Sequence, residues 1–377
     1  MVAKRKNSTR SKHKPSAGGA VLRIISIVFV TGFFISLLAP YVPPDQFWVP
    51  AFAGLAFPVF FILNVFFLLL WIFRRRWFSL FHLALFLWSL PIASRHLQLR
   101  SDQPQSYDFY TTIISYNVKT LLGEDGKSSL PQLLELITHE KPDILCLQEF
   151  RDNWWQKDDN TLKIMQRGGF IDKKFESYYP VKSDRKVVGI AIFSKYPIVG
   201  SGSIRAGQRL MAIYADVILN HDTIRIFSMH LQSIAFQKED YQLVEGIMET
   251  SKSVNGELET GSRQLMWKLR KAFIKRAYQS RLLSEAIAQS PYPVVVCGDM
   301  NDTPSSYAYR KVRGNLQDAF QQAGHGVGNT YLGKLPKIRI DYIFLGPQFK
   351  CLYFDVLLYH FSDHYPVSSK FYLKKYD

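Results

Sequence analysis

Six segments of the chain end or interrupt an apolar run on a residue that can bind metal or phosphate. TTIISYN stops at Asn117, DILCLQE at Glu149 and RIFSMH at His230. VVVCGDMN carries Asp299 and Asn301, RIDYIF carries Asp341, and SDHYP carries Asp363 and His364 ahead of a final strand. Carboxylates are hard oxygen donors suited to Mg²⁺, and imidazoles donate to phosphoryl oxygens or move protons. Strand ends are where α/β folds build their sites. Each residue has a plainer alternative. Asn117 could cap a turn, Glu149 could pair with a lysine, and His230 could be a satisfied core histidine. GDMN could be a turn, Asp341 a structural hydrogen-bonding group and SDH a loop tip. All of these would have to hold together in one chain, at strand ends, which is improbable.

Those residues need a scaffold, and the pattern from Phe109 onward is that of a mixed α/β enzyme. β-rich runs fall at Thr111–Asn117, Asp143–Gln148, Gly189–Ser194, Met211–Ile218, Thr223–His230, Val294–Asp299, Ile340–Leu345 and Tyr353–Leu358. Several alternate with period two or are almost wholly apolar, as the strands of sheet cores are. Leu130–Glu140 has leucines at helical spacing, and Arg263–Gln289 reads as a long amphipathic helix rich in Lys and Arg. Residues 234–262 are polar and could be a loop, a lid or the start of that helix. No repeat at a fixed period is present. Cys146 and Cys297 sit inside strands and read as small buried hydrophobes.

The ordered set SYN, LQE, MHL, GDMN, IDY and SDH resembles the endonuclease/exonuclease/phosphatase superfamily, over about residues 109–377. GDxN alone is a weak signal, but the full set in order is a strong one. The resemblance implies an α/β (α+β) four-layer sandwich, two mostly antiparallel β-sheets flanked by helices. It implies hydrolysis of a phosphoester by in-line attack of water, with Mg²⁺, or Mn²⁺ in its place, as cofactor. Glu149 would be the principal metal ligand, Asn117 would help hold metal or phosphate, and Asp363 would be a second metal ligand. Asp299 would orient or deprotonate the water, Asn301 and His230 would donate to phosphoryl oxygens, and His364 would contact phosphate or transfer a proton. Asp341 would hold the His364 ring.

The chain has 377 residues, 47% of them hydrophobic and 21% charged, with three Cys. That excludes a disordered protein and a disulfide-stapled mini-protein. The net charge of +16 is uneven: residues 1–105 hold 12 Lys+Arg against 2 Asp+Glu, and the remainder 35 against 29. The basic excess therefore lies mainly outside the region that carries the chemistry. Residues 1–20 form a basic tail, and three apolar runs follow at 21–42, 47–73 and 77–93. These predict about three transmembrane helices, the third being short. A signal peptide is disfavoured, because further apolar runs follow directly and no cleavage site stands out. Trp48, Trp71 and Trp77 near the run ends suit interfacial anchoring. The basic tail and Arg74–Arg76 should stay in the cytoplasm, which predicts an integral protein of the cell (inner) membrane with residues 109–377 on the extracytoplasmic side. If the third run does not span, the domain would be cytoplasmic. Residues 94–108 read as a polar linker.

The substrate is less legible. A nuclease needs a basic surface to follow a phosphate backbone. The helix within Arg263–Gln289 could face nucleic acid or anionic lipid headgroups, or be a solvated face. A bilayer anchor concentrates an enzyme on lipids and does little for genomic repair. A nucleic acid and a lipid or small phosphate both remain as substrates, and no obligate protein partner is predicted. The intact residue set argues against an inactive binding module.

Overall fold

The computed structural model describes residues 17–74, 77–99, 109–123, 126–152, 159–179, 187–234, 257–333 and 337–374. The basic tail up to residue 16, most of the expected linker and residues 235–256 of the expected loop or lid lie outside them.

The N-terminal part is helical. Helix α1 spans Ala17–Leu38, α2 Val49–Leu55, α3 Phe57–Phe73 and α4 Phe78–Ala93. Prolines at the starts of α2 and α3 suit first-turn positions, whose N–H groups have no partner within the helix. Apolar side chains point outward as well as inward: Ile24, Val28, Ile62, Phe66 and Leu80 are all exposed. The polar groups are turned inward and joined. Asn64 Oδ1 lies 2.7 Å from His82 Nδ1, His82 Nε2 2.9 Å from Ser26 Oγ, and Trp71 Nε1 donates to Ser26 Oγ at 2.9 Å. Burying polar groups among apolar helices requires such pairing.

The expectation of three spans is corrected here. Only α1, at 22 residues and about 33 Å, is by itself long and apolar enough to cross a bilayer, among the described residues. The second run is broken into α2 and α3 with a 72° bend, so it is at most one bent span. Helix α4 has 16 residues, about 24 Å of rise against a hydrocarbon core of about 30 Å. Composition shows an apolar run, but it does not show that the run is broken.

The remainder is built on two six-stranded sheets. The strands are β1 Thr111–Asn117, β2 Ile144–Asp152, β3 Asp172–Ser177, β4 Val187–Ser194, β5 Ile198–Ala206, β6 Arg209–Leu219, β7 Asp222–His230, β8 Val294–Asp299, β9 Gln317–Asp318, β10 Asp341–Leu345, β11 Phe349–Val356 and β12 Val367–Leu373. One sheet runs β11-β12-β1-β2-β4-β3 and the other β5-β6-β7-β8-β10-β9. Each is mixed: β1/β2 and β7/β8 pair parallel, and all other neighbours pair antiparallel. Ile113, Ile144, Cys146 and Ile192 of one sheet meet Ile213, Ile226, Val295, Cys297 and Ile343 of the other in a closed core. Helices α5 (Leu130–Glu140) and α6 (Asn160–Gly168) cover the outer face of the first sheet. Helices α7 (Glu257–Ala288) and α8 (Tyr307–Arg313) cover the second, and α9 (Ala319–Ala323) lies at its edge. The four-layer arrangement is the expected one. Strands β3, β5 and β9 escape the sequence patterns, since DKKFES is half-exposed and IVGSGSIRA is rich in Gly and Ser. They form through pairing with β4, β6 and β10 rather than through their own composition. Likewise β11 begins four residues before the predicted Tyr353.

The two parts are in contact. Ser94–Gln98, read as linker, is packed on the sheet domain. Arg95 Nη1 donates to Pro304 O at 3.3 Å, His96 Nε2 lies 2.7 Å from Ser305 Oγ, and Gln98 bridges Gly326. Arg339, fully buried, donates to Asp318 at 2.8 Å and to the Arg95 carbonyl at 2.7 Å. Arg339→Met would leave the Asp318 carboxylate without its countercharge, held only by the Tyr309 hydroxyl and the Phe320 N–H, and should cost about 3 kcal/mol, the lower end of the penalty for breaking a buried pair. A lowered Tm with parallel loss of secondary structure would show it.

Candidate active site

Topology brings the strand-end residues together. Parallel strands put like ends side by side. The β1/β2 pairing therefore sets Asn117 beside Gln148 and next to Glu149, and the β7/β8 pairing sets His230 opposite Asp299. Strand β10 runs back along β8 with Asp341 opposite Asp299. Gly298 allows the close approach of β8 to β7: its φ is 129°, and a Cβ there would lie 2.0 Å from the Met229 carbonyl. The last turn of chain then aims side chains inward. Glu149 (φ 50°) and Asn301 (φ 55°) both adopt the left-handed region, at about 1 kcal/mol or more each. Glu149 sits in the irregularity where β2 shifts register against β4.

Asn117 joins the two sheets. Its Nδ2 donates to Asp299 Oδ2 at 3.0 Å and to Glu149 Oε1 at 3.3 Å, while its Oδ1 accepts the Lys119 N–H at 3.1 Å. Asn117 thus holds both carboxylates and presents its N–H side to them. Asn301 donates twice to Asp299, from its backbone N at 2.7 Å and from Nδ2 at 3.0 Å. His230 lies 3.6 Å from Asp299 and 3.7 Å from Glu149 through Nε2, an atom with no hydrogen-bond partner. His364 Nδ1 lies 2.9 Å from Asp341 Oδ2, and its Nε2 is 3.7 Å from Asp299. Asp363 is placed differently from the rest. Its carboxylate is 2.9 Å from Lys119 Nζ and a quarter exposed, at the rim of the cluster.

Two further side chains of the cluster are not marked by the sequence patterns. Tyr178 accepts the Glu149 N–H at 2.9 Å and lies 2.6 Å from His230 Nδ1. That contact ties the Glu149 backbone to the His230 ring and leaves Nε2 turned into the site. Lys119 follows Asn117 in a turn of three residues with positive φ, Lys119, Thr120 and Leu121. Nothing in ESYYPVK marks Tyr178, whereas the position of Lys119 two residues after Asn117 could have flagged it. A cleft of about 870 Å³ opens beside the cluster, lined by Lys119, Lys127, Gln132, His360, Phe361 and Asp363 among others.

Electrostatics divide the two imidazoles. Burial pushes His230 down to about 4, so its ring is neutral near pH 7. Burial also opposes charge on His364, but Asp341, Asp299 and Asp363 outweigh it and raise His364 to about 10. Burial raises both Glu149 and Asp299 above the ordinary carboxylate range. Oxygen donors of Asp299 and Asp341 and a nitrogen of His364 lie close enough together to suggest a metal group. A ring already holding a proton and bonded to Asp341 is a poor ligand, because only neutral imidazole binds metal. Glu149, raised by burial and by the neighbouring Asp363 charge and 30% exposed at its side chain, fits a hard divalent cation better. The unpartnered Oδ1 of Asp341 is a further free oxygen in the cluster.

An unfolded histidine titrates near 6.5. The attraction holding His364 charged therefore stabilises the fold fully below pH 6.5 and is lost as pH rises toward 10. Asp341→Asn should cost most stability just below pH 6.5, with a penalty that shrinks toward pH 10. Denaturant titrations in chelator across that range measure it, and a penalty independent of pH would count against the charged pair.

Residues 19–96, which take in all but the first two residues of α1 and the whole of α2 to α4, match a domain of unknown function. Protein angel homolog 1 of Homo sapiens is 25% identical over 245 residues, covering 57% of this chain and 32% of that protein. The chain thus spans about a third of the length of the curated relatives it matches. Among solved structures, an endonuclease/exonuclease/phosphatase from Beutenbergia cavernae aligns with a TM-score of 0.49 at 18% identity, covering 70% of this chain and 72% of that one. The human Nocturnin catalytic domain with bound sulfate aligns at 0.47 and 19%, covering 70% and 95%. The family model for the endonuclease/exonuclease/phosphatase family matches residues 114–364, more than half of the chain and every strand-end residue from Asn117 to His364, and the chain belongs to that family.

Proposed function

We propose that this phosphoester hydrolase is membrane-anchored and divalent-metal-dependent, and that it acts on a phosphoester presented at the bilayer surface. The observation that carries the chemistry is the convergence of Glu149, Asp299, His230 and the Asp341–His364 pair at one place between the sheets. Glu149 would hold Mg²⁺ or Mn²⁺, with Asn117 fixing its carboxylate and Asp363 as a further oxygen donor at the rim. The cation, when bound, would neutralise charge on the phosphoryl group. Asp299 keeps three donated hydrogen bonds from Asn117 and Asn301 and a basicity raised by burial, which suits a group that orients or deprotonates water. Neutral His230 directs Nε2 toward a phosphoryl oxygen. Charged His364, steadied by Asp341, stabilises developing negative charge or returns a proton to the leaving oxygen. Asn301 would steady Asp299 instead of facing a phosphoryl oxygen, because its Nδ2 already donates to Asp299 at 3.0 Å and to the Leu231 carbonyl at 3.2 Å. The cleft lined by Lys119 and His360 would take the remainder of the substrate.

The placement of the catalytic loop favours a membrane-borne substrate over a nucleic acid. Residues 302–305 follow Asn301 directly, and Pro304 and Ser305 touch Arg95 and His96 at the end of α4. A Cβ on Gly54 of α2 would come within 3.4 Å of the Ser305 carbonyl. The sheet domain thus packs at the end of α1 opposite the N-terminus. If α1 spans with the basic tail inside, residues 109–377 lie on the extracytoplasmic side of the cell membrane.

The test is Mg²⁺-dependent hydrolysis by the full chain in detergent, comparing phospholipids, soluble phosphomonoesters, plasmid DNA and oligonucleotides. We expect turnover of lipid phosphoesters, abolished by EDTA and restored by Mg²⁺ or Mn²⁺. Loss of one phosphoryl donor in His230→Ala should lower kcat by about 10²–10³-fold, and Glu149→Gln should raise the metal concentration required. DNA cleavage without lipid turnover would overturn the membrane-borne substrate. Hydrolysis insensitive to EDTA would overturn the metal.

A further inference from the structure

We infer that the outer face of α7 between Arg263 and Tyr278 is a contact surface for anionic lipid headgroups of the bilayer that α1 enters. The inference rests on the membrane reading above but not on the chemistry of the site. Between Gly261 and Arg281 the chain has seven Lys or Arg and no Asp or Glu. A helix that is merely solvated usually mixes its charges, whereas a basic helix with interleaved aromatics suits an anionic surface. Buried Arg276 pairs with Asp302 at 3.0 Å, and Arg281 grips Asp45 at 2.9 and 3.1 Å. Arg263, Arg270, Lys271 and Lys275 are exposed. Trp267 is 59% exposed and Met266 48%, in the same stretch, and Lys271 sits over the Trp267 ring at 4.7 Å. Trp267, Lys271 and Tyr278 recur at helical spacing, so they share one face.

Position decides what this face meets. Helix α7 is fastened to the turn between α1 and α2, the end of the apolar helices that must lie at the water–lipid boundary. Phe273 packs edge-on against Phe52 of α2 at 5.2 Å, Arg270 lies over Trp48 at 5.5 Å, and Arg281 holds Asp45. Phe47, beside Trp48, is 53% exposed. Trp48, Phe47, Trp267 and the α7 cations thus form one continuous aromatic and basic margin beside the apolar helices, the composition of a membrane interface. The same helix braces the catalytic loop, since Arg276 pairs with Asp302, the residue after Asn301. Seating α7 on headgroups therefore holds the site at the height of membrane-borne phosphoesters.

The test uses the full chain carrying Met266→Cys with an environment-sensitive dye, the three native cysteines being buried. It is reconstituted into vesicles of phosphatidylcholine alone, or with about a quarter phosphatidylglycerol. We expect a blue shift in the anionic vesicles only, lost in about 1 M salt, where the Debye length falls to about 3 Å. The shift should also be lost in Lys271→Glu/Lys275→Glu protein that keeps its Tm. Equal emission in both vesicles, a shift retained after charge reversal, or a chain that fails to float with vesicles would overturn the inference. So would a shift produced by added oligonucleotide and not by anionic lipid. Adding Glu149→Gln should leave the shift intact, which separates failure of this surface from failure of the hydrolase reading.

Discussion

Carboxylates buried together repel one another and lose their hydration, so each needs a donor held rigidly against it. The structure meets this constraint with one amide. Asn117 bridges Asp299 of the second sheet and Glu149 of the first, the central contact between the two halves of the site. Around it, Asn301 supplies two more donors to Asp299, and Tyr178 ties the Glu149 backbone to the His230 ring. The parallel pairings β1/β2 and β7/β8 exist at the centres of otherwise antiparallel sheets, and they are what puts these strand ends at one edge. The residual negative charge is what a divalent cation would offset.

The same scaffold joins the site to the N-terminal helices. The loop after Asn301 is shared: Asp302 is paired to Arg276 of α7, and Pro304 and Ser305 are bonded to Arg95 and His96. His96 stacks on Phe57 at 5.2 Å, and burial beside Arg339 and Arg95 holds it down to about 3, so it packs as a neutral ring. The helical part and the hydrolase domain are therefore fitted to each other through neutral and paired groups, not joined by an independent tether.

Much of the site was legible because its chemistry is concentrated in residues that stop apolar strands. Asn117, Glu149, His230, Asp299 and Asn301 are each marked by an abrupt polar residue after an apolar run, and Asp341 and His364 by one at or just ahead of the start of a strand. Asp363 was marked in the same way but lies paired with Lys119 at the rim. Tyr178 was invisible, since a tyrosine in a polar stretch is unremarkable until a fold brings its hydroxyl to an imidazole. The break between α2 and α3 was hidden for a related reason, because apolar composition is continuous through a bend.

By itself, then, the sequence determined which strands are buried, which polar residues end them and that an apolar, basic-flanked region precedes them. These are local properties, set by hydrophobic period and residue type. Only the tertiary structure decided the rest: that parallel pairing makes Asn117 a cross-sheet bridge, that His230 is neutral while His364 is charged, and that α7 lies against the turn carrying Trp48. Each depends on which groups approach through space. Burial and neighbouring charge shift a histidine in opposite directions, and no sequence distance records their balance.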